Sequence, residues 1–196
     1  MSKRCVAALA IVTLARGVPV SASDTTGHFA VERIGQTTCS QFTAARAAKS
    51  PTYNALMGFS EGYVTAANRY ELNTYDLSPW HSREGVAMII SGYCGAHGSD
   101  HFVSALEKMV SAMRPIRLAE FSPSVTVVDS GKQTQVYQTI LKRAQSALHR
   151  QGRYSGPEDG RDSPQLHEAF RAFQKASNLL PTGLPDSATL WKLLNP

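Results

Sequence analysis

Residues Gly152–Gly160 read Gly-Arg-Tyr-Ser-Gly-Pro-Glu-Asp-Gly, and no regular element can run through them. Three glycines and a proline in nine residues force a turn, so the elements on either side must be separate and short. Upstream, a helix is expected over about Thr134–Gln151, with Leu141, Ala144 and Leu148 on one face and Gly152 stopping it as a C-terminal cap. Downstream, Ser163-Pro164 opens a second helix, because a serine oxygen accepts free N–H groups and proline suits a first helical turn. Leu166, Phe170 and Phe173 share its inner face. The loop Leu179–Pro185 carries Gly183, and Asp186 caps a last short helix bearing Leu190, Leu193 and Leu194. Three short amphipathic helices within 133–196 are expected to share one small core and to fold alone.

A second helical block precedes this one. Helices are expected near Gln36–Lys49, ended by Ser50-Pro51, and near Tyr53–Leu72. Pro79 is read as opening a third over Trp80–Tyr93, and Ser99 as capping a fourth over Asp100–Met113. Phe102, Leu106, Met109, Val110 and Met113 recur at helical spacing and make a core-facing stripe. Residues 115–132 break the helical period and read as a linker, with Val125–Val128 as a short strand against the first block. The fold class expected is all-α: a disulfide-stapled helical domain over 23–114, the linker over 115–132, and a three-helix bundle over 133–196.

The first 22 residues have the layout of a secretory signal. Lys3 and Arg4 make a positive start, Cys5–Ala15 is an apolar core, and Val20-Ser21-Ala22 places small residues at a cleavage site. The apolar run is too short to span a bilayer and Arg16 interrupts it, so no membrane attachment is expected after cleavage. Export to the periplasm or beyond is the expected localisation. Loss of Cys5 leaves Cys39 and Cys94, and an even pair in an oxidising compartment is expected to bond. The formal charge of +5 does not mark a nucleic-acid binder. Three of those charges leave with the signal, and the remaining two are too few to neutralise several phosphates at once.

The order of residues in 133–196 resembles that of the peptidoglycan-binding domain carried by many bacterial cell-wall enzymes. The resemblance rests on Gln145 and Leu148, the Gly152–Gly160 turn, Ala169-Phe170-Arg171-Ala172-Phe173-Gln174, Leu179-Leu180, and Gly183-Leu184-Pro185-Asp186-Ser187-Ala188-Thr189. Ser163 and Leu166 stand where many members have Gly and Thr. The resemblance implies a three-helix fold and peptidoglycan as ligand. Arg153, Tyr154, Asp159, Gln174 and Trp191 are the candidate contacts, with Tyr154 brought to the surface by the glycine turn. Tyr154 and Trp191 offer flat rings for sugar faces, and Arg150, Arg153 and Arg171 offer guanidinium groups for stem-peptide carboxylates. Each also has a structural reading: the rings as packing at the domain edge, the arginines as a solvated face, and Gln145 and Gln174 as satisfying backbone groups inside the bundle.

The first block resembles the disulfide-bonded helical proteins of the HdeA-like periplasmic superfamily, which includes acid-stress chaperones and secretion-toxin immunity proteins. Thr38-Cys39-Ser40-Gln41-Phe42, Gly58-Phe59-Ser60-Glu61-Gly62-Tyr63 and Gly92-Tyr93-Cys94 carry that resemblance. It implies a four- or five-helix fold with Cys39 bonded to Cys94, and no particular activity.

The first block offers few residues for catalysis. His97 and His101 are four apart, but Gly98-Ser99 lies between them and no HExxH glutamate is present. Glu61 and Glu71 on one helix stand about 15 Å apart along its axis, beyond the carboxylate spacing of glycosidases. No metal, cofactor or catalytic residue is expected. The leading expectation is a non-enzymatic exported protein that binds peptidoglycan through 133–196 and a protein partner through 23–114. A wall hydrolase or its accessory, and a wall-anchored chaperone or immunity-type protein, are the alternatives.

Overall fold

The computed structural model describes residues 23–24 and 26–195; the expected signal segment, 1–22, lies outside the described residues. The chain divides into Met1–Val31 and Glu32–Pro196. In the first unit the Asp24 carboxylate accepts the N–H groups of Thr26 at 2.9 Å and His28 at 2.8 Å, closing a local turn. Among the described residues all the regular elements lie in the second unit. Among the described residues no helix is long and apolar enough to cross a membrane.

The first block holds α1 (Cys39–Ala47), α2 (Pro51–Tyr70), α3 (Arg83–Ala96) and α4 (Phe102–Met113). Thr38 and Gln41 start α1 with a capping box: Gln41 N donates to Thr38 Oγ1 and Thr38 N to Gln41 Oε1. Ser50 caps α2, with Pro51 in its first turn. Two starts differ from expectation. Helix α3 begins three residues late because Ser82, not Pro79, supplies the cap, its Oγ accepting the Gly85 N–H at 3.1 Å. Helix α4 begins after His101 because that residue is extended and forms a β-bridge with Thr38 at the start of α1. There Phe102 N donates to Thr37 O at 2.7 Å and Cys39 N to Asp100 O at 2.8 Å.

Cys39 and Cys94 are bonded, tying the start of α1 to the last turn of α3. The bond sits in a core built from Phe42, Leu56, Met57, Ile90 and the buried stripe of α4. Phe42 and Phe102 meet at 5.0 Å between ring centroids.

The second block is mostly helical but not all-α. Residues Ser124–Asp129 (β1) and Lys132–Tyr137 (β2) form an antiparallel hairpin with Val127 opposite Thr134 and Val125 opposite Val136. Its turn is Ser130-Gly131, both at positive φ (49° and 76°), the left-handed pair whose twist matches that of two antiparallel strands. The helix expected from Thr134 therefore starts only at Gln138, since Thr134–Tyr137 is taken by the ladder. Helices α5 (Gln138–Arg150), α6 (Pro164–Ala176) and α7 (Ser187–Leu194) follow.

The region expected to be a linker is thus part of the second core, not a strand against the first. Val127 and Val136 are buried with Ile140, Leu141, Leu148, Phe170 and Phe173. Two residues from further upstream join them, Leu118 and Trp80. Leu118 is pinned by a bridge to Asp76, with its N–H donating to Asp76 O at 2.8 Å. The bundle core is therefore not contained within 133–196.

Asp129, at the end of β1, fastens the hairpin to α6. Its carboxylate pairs with the Arg171 guanidinium and lies 3.6 Å from His167 Nδ1. His167 Nε2 meets Asp162 at 2.6 Å.

Candidate functional site

Helix α5 ends in a Schellman motif. Gly152 is left-handed (φ 66°), its N–H donates to His149 O, and the Arg153 N–H reaches back to Leu148 O. That reversal aims the Arg153 side chain outward and the Tyr154 ring inward. Tyr154 is only 3% exposed and packs in the second core, with its hydroxyl donating to Pro157 O at 3.1 Å. The expected surface ring is therefore a buried one. Gly156 is required by it, because a β-carbon there would lie 2.6 Å from the Tyr154 ring carbon that bears the hydroxyl.

The far end of the turn is held by Gln145, which is fully buried on α5. Its Oε1 accepts the Gly160 N–H at 2.7 Å, and its Nε2 donates to Arg161 O at 3.0 Å and Asp159 Oδ1 at 3.4 Å. Asp159 also accepts the Arg161 N–H, and that bond, with help from Gln145, holds its carboxyl below the usual range. Gln174, on α6, holds the following loop in the same way. Its Oε1 accepts the Gly183 N–H at 2.9 Å, while Nε2 serves Thr182 Oγ1, Leu184 O and Thr189 Oγ1 at 2.8–3.0 Å. Gly160 and Gly183 both have positive φ, 72° and 73°. Gln174 is thus a buried loop staple whose contribution to any ligand contact is indirect, whereas Asp159 helps hold its turn from the surface.

Three of the five candidates keep surface: Asp159, though bonded to Gln145 and the Arg161 N–H, is exposed, as are Arg153 and part of Trp191. The Arg153 side chain is exposed and makes no ion pair among the described residues. Trp191 is partly buried on α7 and meets the first block: its ring lies edge-on to His81 at 5.3 Å and beside Gly85 of α3. Trp80, His81, Met88, Leu179 and Trp191 line a groove of about 440 Å³ there, with Glu84 and Lys192 at its rim. Burial pushes His81 down to about 4, so the ring is neutral near pH 7. Of the three arginines expected to suit carboxylates, Arg171 is already paired with Asp129 and Glu168. Arg150 meets only Ser146 Oγ, at 3.1 Å.

The histidines and glutamates of the first block are engaged elsewhere. Glu61 pairs with Arg83 and Glu71 with Arg114, each at 2.7 Å. His97 stacks on Tyr93 at 4.1 Å and bonds its carbonyl, and His101 bonds Gln36 O. Among the described residues no three His, Cys, Asp or Glu side chains gather as a metal would require.

No curated protein and no solved structure matches the chain. The segment from the end of β2 to the last turn of α7, residues 137–193, matches the family model described as a putative peptidoglycan binding domain.

Proposed function

We propose that this is an exported bacterial protein that holds peptidoglycan non-covalently through the α5–α7 bundle. The family match over 137–193 carries that reading. It is supported by two surface features that suit the polymer. Arg153 offers an unpaired guanidinium to carboxylates, and Trp191 offers a partly exposed aromatic ring beside an apolar groove to sugar rings. Gln145, Gln174 and Tyr154 act from beneath, by fixing the loops that present those groups. The wall is multivalent, so modest contacts repeated along it give firm retention. The first block, joined to the bundle through Trp80 and Leu118, acts as the module that engages a protein partner, and the chain is not itself an enzyme.

Incubation of the mature protein with purified sacculi tests this reading. Co-sedimentation without release of soluble muropeptides is the expected result. Muropeptide release would establish the hydrolase alternative, and protein left in the supernatant would remove wall binding altogether.

A further inference from the structure

A second cleft lies on another side of Trp80. It has a volume of about 320 Å³ and is lined by Trp80, Ile116, Leu194, Arg143, Ser146 and Arg150, among others. Positions 143, 146 and 150 are three and four apart, so they form one stripe along α5, separate from the buried stripe of Leu141, Ala144 and Leu148. The two arginines are seven residues apart, about 10 Å of rise, and reach the cleft from either end of Ser146.

Neither guanidinium there has a carboxylate within ion-pair distance among the described residues. Arg143 is partly buried, yet its guanidinium meets only neutral carbonyls, donating to Ile116 O at 2.6 Å and Arg117 O at 3.0 Å. Burial lowers its pKa with no carboxylate to offset that effect. Arg150 meets only a hydroxyl. Glu158, the carboxylate whose charge interacts with Arg150, is engaged by His149 at 2.7 Å and by Ser146. A half-buried guanidinium with spare donors, a second at the mouth, and apolar walls between them suit an anion carried on a small apolar residue.

We propose that this cleft binds the terminal carboxylate of a peptidoglycan stem peptide, with Arg143 and Arg150 on the carboxylate and Trp80, Ile116 and Leu194 against the adjoining alanine methyl. The proposal rests on the wall-binding reading and extends it. Trp80 and Ile116 come from upstream of residues 137–193, so the first block and its connection complete a site the bundle alone lacks.

Co-sedimentation of the mature chain with native sacculi, and with sacculi whose carboxylates have been amidated, tests it. Arg150→Gln is the main variant, because Arg150 is exposed and makes one bond; Arg143→Lys is the second, used with a melting curve to confirm folding. Lys175→Gln, on another helix, controls for net charge. The parent should bind amidated sacculi about tenfold more weakly, Arg150→Gln should match that loss on native sacculi, and Lys175→Gln should stay near the parent. Acetyl-D-alanyl-D-alanine should displace the protein and its C-terminal amide should not. Equal binding to both sacculi, or equal loss in Arg150→Gln and Lys175→Gln, overturns the site while leaving wall binding intact. Displacement by inorganic phosphate as effective as by the peptide marks a general oxyanion site and overturns the peptide assignment. No binding to either preparation overturns both readings.

Discussion

The Gln145 side chain and the Gly160 backbone form one unit: Oε1 accepts the N–H at 2.7 Å in the buried interior, and Gln174 repeats the arrangement with Gly183 at 2.9 Å. Each pair joins a helix to the left-handed glycine that closes the next loop, and so fixes where that loop's side chains emerge. Replacing Gln145 by Leu leaves the buried Gly160 N–H without a partner and removes the bond to the Arg161 carbonyl. A loss of about 2–4 kcal/mol in unfolding free energy is expected. Gln174→Leu should cost at least as much, since its Oε1 accepts the Gly183 N–H and its two amide hydrogens are shared among three buried or part-buried acceptors. Denaturant titration of the two variants measures this; a loss under about 0.5 kcal/mol would show the loops to be held by packing alone.

The Cys39–Cys94 bond closes a loop of 55 residues. In the chain-entropy account that constraint stabilises the fold by about 4 kcal/mol. Cys39→Ala should lower the melting temperature strongly, and reductant should have the same effect on the parent and none on the variant. Thiols that alkylate readily in protein isolated without reductant would contradict the assignment.

Trp80 carries the coupling between the two blocks. It belongs by sequence to the first and by packing to the second, where it is 6% exposed. Trp80→Ala should destabilise the bundle by about 3–5 kcal/mol. Trp80→Phe should cost much less, since the indole N–H it removes has no hydrogen-bond partner among the described residues. The isolated fragment 133–196 lacks Trp80, Leu118 and the whole of β1, so its amide exchange should be far less protected than in the full chain. Equal protection would show the bundle to be self-sufficient.

Burial makes stability pH-dependent through His81. Its folded-state value of about 4 lies below the ordinary 6.5, so the unfolded chain takes up a proton first as pH falls. The contribution is complete above about pH 6.5 and is lost between there and pH 4, by on the order of 2–3 kcal/mol given its partial exposure. Unfolding free energies at pH 7.5 and 4.5 should show this drop in the parent and much less of it in His81→Phe. The same slope in both proteins would assign the effect to other groups.

The helices of both blocks are legible in the sequence because their signals are local. Ser50-Pro51, Ser163-Pro164 and Asp186 cap as their chemistry requires, and the apolar stripes of α4, α5 and α6 face inward. The hairpin is half legible: the valines of β1 stand out, but Thr134–Tyr137 continues a helical period, and Ser130-Gly131 suits the end of a linker as well as a two-residue turn. Tyr154 illustrates a limit of another kind. A tyrosine between glycines fits a surface turn or a buried one equally well, and the Schellman geometry at Gly152 decides between them. Arg143 carries no signal beyond its spacing from Ser146 and Arg150, because its importance arises from Trp80 and Ile116, which the fold brings beside it.

On this account the bundle's exposed side chains hold the wall. Sedimentation of Arg153→Ala, Trp191→Ala and the double variant with purified sacculi, each first shown to be folded, tests that most directly. The single variants should bind several-fold more weakly than the parent, the double variant more weakly than either, and added salt should weaken the arginine-dependent binding while leaving the Trp191-dependent part. A folded double variant that sediments like the parent would contradict the account.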